Sequence, residues 1–143
     1  MSAASERYET DGPQQTEAVG ASVATRLRPG DVVHVVGELG AGKTTLVRGA
    51  CRALGVEGPV TSPTFAIAHR YPARDGLLVA HLDLYRLGSL ADEDPDLLAD
   101  YLGPDRIAFI EWPAPETATL GEPRLRIELA HLGEGRRRIE VHE

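Results

Sequence analysis

Hydrophobic positions change period several times along this chain, and each change marks an element. Val19, Val23 and Leu27 fall four apart on one face of a helix predicted over residues 16–27, with Thr16 and Glu17 suited to its start. Arg28-Pro29-Gly30 ends it. Val32, Val33, Val35 and Val36 then make a β-branched run closing at Gly37, the pattern of a strand buried on both faces. Helical spacing returns with Leu46, Val47, Ala50, Cys51 and Leu54, and Gly55 supplies a C-terminal stop. Residues 64–71 and 77–84 read as two strands of an antiparallel hairpin around Pro72-Ala73-Arg74-Asp75-Gly76. Residues 89–102 are acidic with Leu97, Leu98 and Leu102, which predicts short helix interrupted or restarted at Pro95. A second buried strand is expected over residues 106–112, around Ile107, Ala108, Phe109 and Ile110. Leu125, Ile127 and Leu129 alternate with polar residues, as do Ile139 and Val141, and Gly133-Glu134-Gly135 between them signals a closing hairpin.

This order of strands and helices predicts one α/β domain spanning residues 1–143, without repeat or linker. The expected architecture is a P-loop NTPase-like three-layer fold, a mixed parallel and antiparallel sheet flanked by helices. The first nine residues are expected to be flexible. A hydrophobic content of 42% in 143 residues is enough for a core. Acids outnumber bases 22 to 15, and the net charge of -7 disfavours a broad nucleic-acid surface. Arg136-Arg137-Arg138 is a local exception that reads as a solvated hairpin strand. Cys51 is the sole cysteine and cannot form an internal disulfide. No apolar run approaches the roughly 20 residues that span a bilayer, and the first 15 residues lack the apolar stretch of a secretory signal. A cytoplasmic location is expected.

The chemistry concentrates at Gly37-Glu38-Leu39-Gly40-Ala41-Gly42-Lys43-Thr44, which matches G-x-x-x-x-G-K-[ST] at every specified position. Such a loop turns sharply and brings main-chain N–H groups against phosphate oxygens, while the next helix aims its positive end at them. Lys43 then reaches the β- and γ-phosphates of ATP, and the Thr44 hydroxyl completes a Mg²⁺ shell. A valine strand before the loop and an amphipathic helix after it are the context this mechanism requires. Hydrolysis also needs acids at neighbouring strand ends, and Asp83 and Glu111 stand at such positions; the alternative for each is a solvated carboxylate. Thr61-Ser62-Pro63-Thr64-Phe65 has the hydroxyls of a segment that senses the γ-phosphate, or else is ordinary turn chemistry before a strand. Trp112 packs over the site, serves in a partner interface, or fills a core or rim position. His81 reads as a packed, hydrogen-bonded histidine, because no second His or Cys stands at metal-ligand spacing.

The loop extended to Thr45, together with Ser62-Pro63-Thr64-Phe65, His81-Leu82-Asp83-Leu84-Tyr85-Arg86-Leu87 and Glu111-Trp112-Pro113, resembles in order and separation the bacterial TsaE family, formerly called YjeE. The similarity runs from about residue 10 to residue 141. It implies an ATPase needed for threonylcarbamoyl-adenosine formation at position 37 of tRNAs reading codons that begin with A. The family's partners are TsaD, which transfers the group, and TsaB; the ATP cycle lets the complex turn over repeatedly. By motif, the resemblance implies Thr44 and Glu111 as Mg²⁺ ligands, Asp83 as a second acid near metal and water, and Ser62 to Thr64 as the nucleotide sensor. Trp112 carries over as an aromatic beside the site, Thr16 as a threonine near the base, and Arg136, after Gly135, as an arginine near the nucleotide. The chain departs from the family pattern at Asp92, Asp94, Pro95 and Asp96, and at Thr61. Two other functions stay open on the residues alone: a nucleotide-gated adaptor with incidental hydrolysis, and a small-molecule kinase, against which stand the short chain and the lack of an arginine-rich lid.

Overall fold

Val33 and Val35 point to one side of a strand while His34 and Val36 point to the other, and all four are buried, so this strand must lie inside a covered sheet. The computed structural model describes residues 5–38, 42–60, 68–83, 103–112 and 123–143. Its elements run β1 (Ser5–Thr10), α1 (Pro13–Ala24), β2 (Val32–Gly37), α2 (Lys43–Ala53), β3 (Ala68–Pro72), β4 (Leu78–Asp83), β5 (Arg106–Trp112), β6 (Leu125–Gly133) and β7 (Arg136–His142). They form an α/β fold with a seven-stranded mixed sheet in the order β1-β7-β6-β2-β5-β4-β3. The four central strands β6, β2, β5 and β4 are parallel, and antiparallel strands complete both edges. Parallel strands share one carboxyl edge, so the ends of β2, β4 and β5 come side by side there.

Both described helices cover the same face. Val19, Val23, Leu46, Val47 and Ala50 pack on Val33, Val35, Phe109, Ile127 and Ile139. Glycine at the crossing lets α1 and α2 meet backbone to backbone: a Cβ on Gly49 would lie 2.0 Å from the Glu17 carbonyl oxygen, and one on Gly20 would lie 2.1 Å from that of Leu46. Glu17 also bridges Arg48 and Arg52 across the crossing, at 3.6 and 3.4 Å. Cys51 belongs to this core, and burial pushes its thiol up to about 12, so it packs as a small hydrophobe. Helix α2 ends as its sequence predicts: Gly55 takes a φ of 93° and the Val56 amide returns to the Cys51 carbonyl at 3.0 Å.

Three expectations change. Residues 5–10, given no element by the sequence, form β1, paired with β7 from Ser5↔His142 to Thr10↔Arg137. Its alternation is mostly polar, with Glu6, Tyr8 and Thr10 turned inward, and the ladder with β7 stabilises it more than apolar burial does. The Tyr8 hydroxyl donates to Glu6 at 2.8 Å, and Arg26 pairs with the same carboxylate; together they hold Glu6 below its ordinary value. Helix α1 begins at Pro13 rather than Thr16, because proline at the first position needs no N–H partner. It also closes three residues early, where Arg26 and Leu27 donate to Val23 and Ala24 in a tightened last turn. Of the first hairpin, the part over residues 68–83 is antiparallel as expected; residues 64–67 and the helix expected over residues 89–102 lie outside the described residues. Among the described residues, no helix is long and apolar enough to cross a membrane.

The crossing of α1 and α2 tolerates no side chain at Gly49. Gly49→Ala is expected to lower unfolding free energy by about 2 kcal/mol or more, read as a shifted urea midpoint at unchanged slope.

Candidate functional site

Strand β2 delivers Gly37 to the carboxyl edge, and Gly42 precedes α2, which begins at Lys43. Gly42 has a φ of 102°, a backbone state in which a side chain would be strained, and its carbonyl accepts the first helical bond from Leu46 at 2.9 Å. Lys43 and Thr44 therefore occupy the first turn of α2, where unpaired N–H groups and the helix dipole favour an anion. The Lys43 ammonium folds back across the loop onto the Gly37 carbonyl, so the two ends of the motif touch. Thr45 lies half-buried in the same turn and Glu38 is exposed at the strand end, while Leu39, Gly40 and Ala41 lie outside the described residues.

Glu111 reaches the loop from β5. The Thr44 hydroxyl donates to Glu111 Oε2 at 3.2 Å across 67 positions of sequence. The Glu111 residue is only 5% exposed, an expensive place for a carboxylate unless it is well paired. His81 supplies the second contact, with Nε2 on the same Oε2. The histidine is thus packed and hydrogen-bonded, as read from the sequence, but its partner is the acid at the loop. On the neighbouring strand, burial first and then the proximity of His81 lower the pKa of His69. Asp83 stands opposite Glu111 in the parallel register of β4 and β5, and Trp112 ends β5 opposite Val36. Ser62 and Thr64 lie outside the described residues.

Thr16 supports the loop from behind. Its hydroxyl is taken up by Thr10 Oγ1 at 2.9 Å and the Gly12 carbonyl at 3.3 Å. Its methyl lies 3.7 Å from where a Cβ on Gly42 would stand. Arg136 is exposed at the start of β7. Its neighbour Arg137 places Nε 3.8 Å from the same Gly42 position. At this end of β7 the pairing with β6 passes from His131↔Arg137 to Gly133↔Arg136 and skips Leu132. Arg137 shares the inner face of Ile139 and Val141, an alternation visible in the sequence once β7 is phased on those two residues.

Hard oxygen donors from Thr44 and Glu111 beside a helix entrance fit a Mg²⁺ ion with a phosphate, and no soft ligand intrudes among the described residues. Comparison with known proteins bears on the same segments. Residues 10–139 match the family described as Threonylcarbamoyl adenosine biosynthesis protein TsaE. A protein of Streptomyces coelicolor named tRNA threonylcarbamoyladenosine biosynthesis protein TsaE is 46% identical over 78% of this chain and 76% of its own length. Its namesake from Bacillus subtilis is 36% identical over 93% and 82%. The crystal structure of Bacillus subtilis YdiB superposes with a TM-score of 0.74 at 30% identity, covering 99% of this chain and 87% of that one. A match spanning almost the entire sheet and both helices is far more than a shared phosphate loop would produce, and the chain belongs to the TsaE family.

Proposed function

We propose that this protein binds and hydrolyses ATP with Mg²⁺ as the accessory ATPase of threonylcarbamoyl-adenosine formation on tRNA, acting in the cytoplasm with TsaD and TsaB. The observation that carries the proposal is the hydrogen bond from Thr44 to Glu111, which joins the phosphate loop to the one buried carboxylate among the described residues. P-loop nucleotidases hold their metal with such a hydroxyl and acid. The names of the relatives, tRNA threonylcarbamoyladenosine biosynthesis proteins, support the pathway. Burial of His34, Ala80, Leu82, Ala108 and Ile110 on the sheet face opposite α1 and α2 supports the three-layer P-loop NTPase arrangement.

In this reading the amides of the first turn of α2 and the Lys43 ammonium grip the phosphates. Thr44 and Glu111 hold Mg²⁺, which supplies charge neutralisation to the γ-phosphate and its leaving oxygen. Asp83, at the neighbouring strand end, orients the attacking water. Arg137 takes the part the sequence suggested for Arg136, adding a guanidinium beside Gly42 at the loop. Thr16 fixes the back of the loop, Ser62 and Thr64 sense the γ-phosphate, and Trp112 packs beside the nucleotide.

ATP turnover with and without the purified TsaD–TsaB complex tests this function. The complex is expected to stimulate turnover, Lys43→Ala to abolish it, and Glu111→Ala to reduce it by about 100-fold or more. Equal rates with and without partners, or full activity of Glu111→Ala, would contradict it. Titration calorimetry separates the two arginines: Arg137→Ala is expected to weaken ATP binding about tenfold, whereas Arg136→Ala leaves it within about twofold.

A further inference from the structure

Glu111 can serve a metal only if its carboxylate is aimed, and the structure shows what does the aiming. His81 is fully buried on β4, and the Glu111 side chain beside it is 7% exposed. Strand register explains the meeting: His81 stands opposite Phe109, and Glu111 is two positions further along β5 on the same face. Glu111 Oε2 receives both the His81 ring and the Thr44 hydroxyl. An ionised carboxylate only accepts, so the proton of this contact is assigned to His81 Nε2. His81 Nδ1 is buried with no hydrogen-bond partner among the described residues, so the ring's polar contact there is the one to Glu111.

We infer that His81 is a positioning residue for the metal site: its Nε2–H pins one oxygen of Glu111 against the Thr44 hydroxyl and thereby turns the other oxygen towards Mg²⁺. The inference rests on the reading of Glu111 as a metal ligand. A glutamate has three free torsions, and two donors converging on one oxygen leave it a narrow choice of rotamer. Removing the buried donor frees the carboxylate to turn away. Metal affinity then suffers, while the phosphate grip of Lys43 and the helix entrance is untouched. Outer-shell partners of this kind commonly govern metal affinity by about 10- to 100-fold.

Two polar substitutions separate this role from packing. A glutamine amide nitrogen reaches about as far as Nε2, whereas an asparagine nitrogen stops near the position of Nδ1. The measurement is ATP affinity by calorimetry in Mg²⁺ and in EDTA, with circular dichroism to verify folding. The natural protein is expected to bind more tightly in Mg²⁺. His81→Asn is expected to lose about tenfold or more of that gain at unchanged affinity in EDTA, and His81→Gln to keep most of it. The inference is overturned if His81→Asn keeps the full gain, or if both variants lose affinity equally in Mg²⁺ and EDTA, the mark of a structural role. It is also overturned if His81→Asn fails to fold and His81→Gln folds but loses the gain. Absence of a Mg²⁺ gain in the natural protein removes the metal reading of Glu111 and this inference with it, a result distinct from a gain that persists without His81.

Discussion

Parallel pairing of β2 with β5 is the constraint on which the site depends. Val35 stands opposite Glu111 and Val36 opposite Trp112, so the strand that launches the phosphate loop and the strand that carries the acid end together. β4 adds Asp83 in register with Glu111 on the far side. A shift of one residue along β5 would turn Glu111 to the other sheet face and break the contact with Thr44. Register is set by Ile107 and Phe109 packing under α1 and α2, while Ala108 and Ile110 are buried on the opposite face. Core packing thereby fixes the polar geometry at the edge.

The helices serve the same end. Glycines at the crossing of α1 and α2 bring the backbones into contact, which fixes the N-terminus of α2 relative to α1 and β1. Thr10 and Thr16 meet at this junction, and the Thr16 methyl backs Gly42. A loop expected to bind through its main chain gains little from flexible support, because any freedom left in it must be lost on binding. The polar edge formed by β1 and β7 is thus part of the loop's foundation.

What the sequence made legible was mostly local. The loop motif, its valine strand and its helix lie within residues 32–54, and periodicity alone places them. The buried run Ile107 to Ile110 and the Gly133-Glu134-Gly135 turn are equally self-contained. β1 was not legible because Tyr8 is its only large apolar residue, and the ladder that holds it lies at the other end of the chain. Arg137 shares the face of Ile139 and Val141 by plain alternation along β7, which the sequence shows only once that strand is phased on its two buried residues. His81 was read correctly as hydrogen-bonded, but its partner lies 30 positions away and only strand pairing brings the two together. Strand-end position singled out Asp83 and Glu111, the family pattern gave them roles, and strand register explains why two acids so far apart in sequence stand side by side.

A crystal structure of the protein with Mg²⁺ and a non-hydrolysable ATP analogue tests the central claim most directly. The account predicts phosphates against the main-chain amides that open α2, with the metal between the Thr44 hydroxyl and the Glu111 carboxylate. A nucleotide bound elsewhere, or a metal held without Glu111, would contradict it.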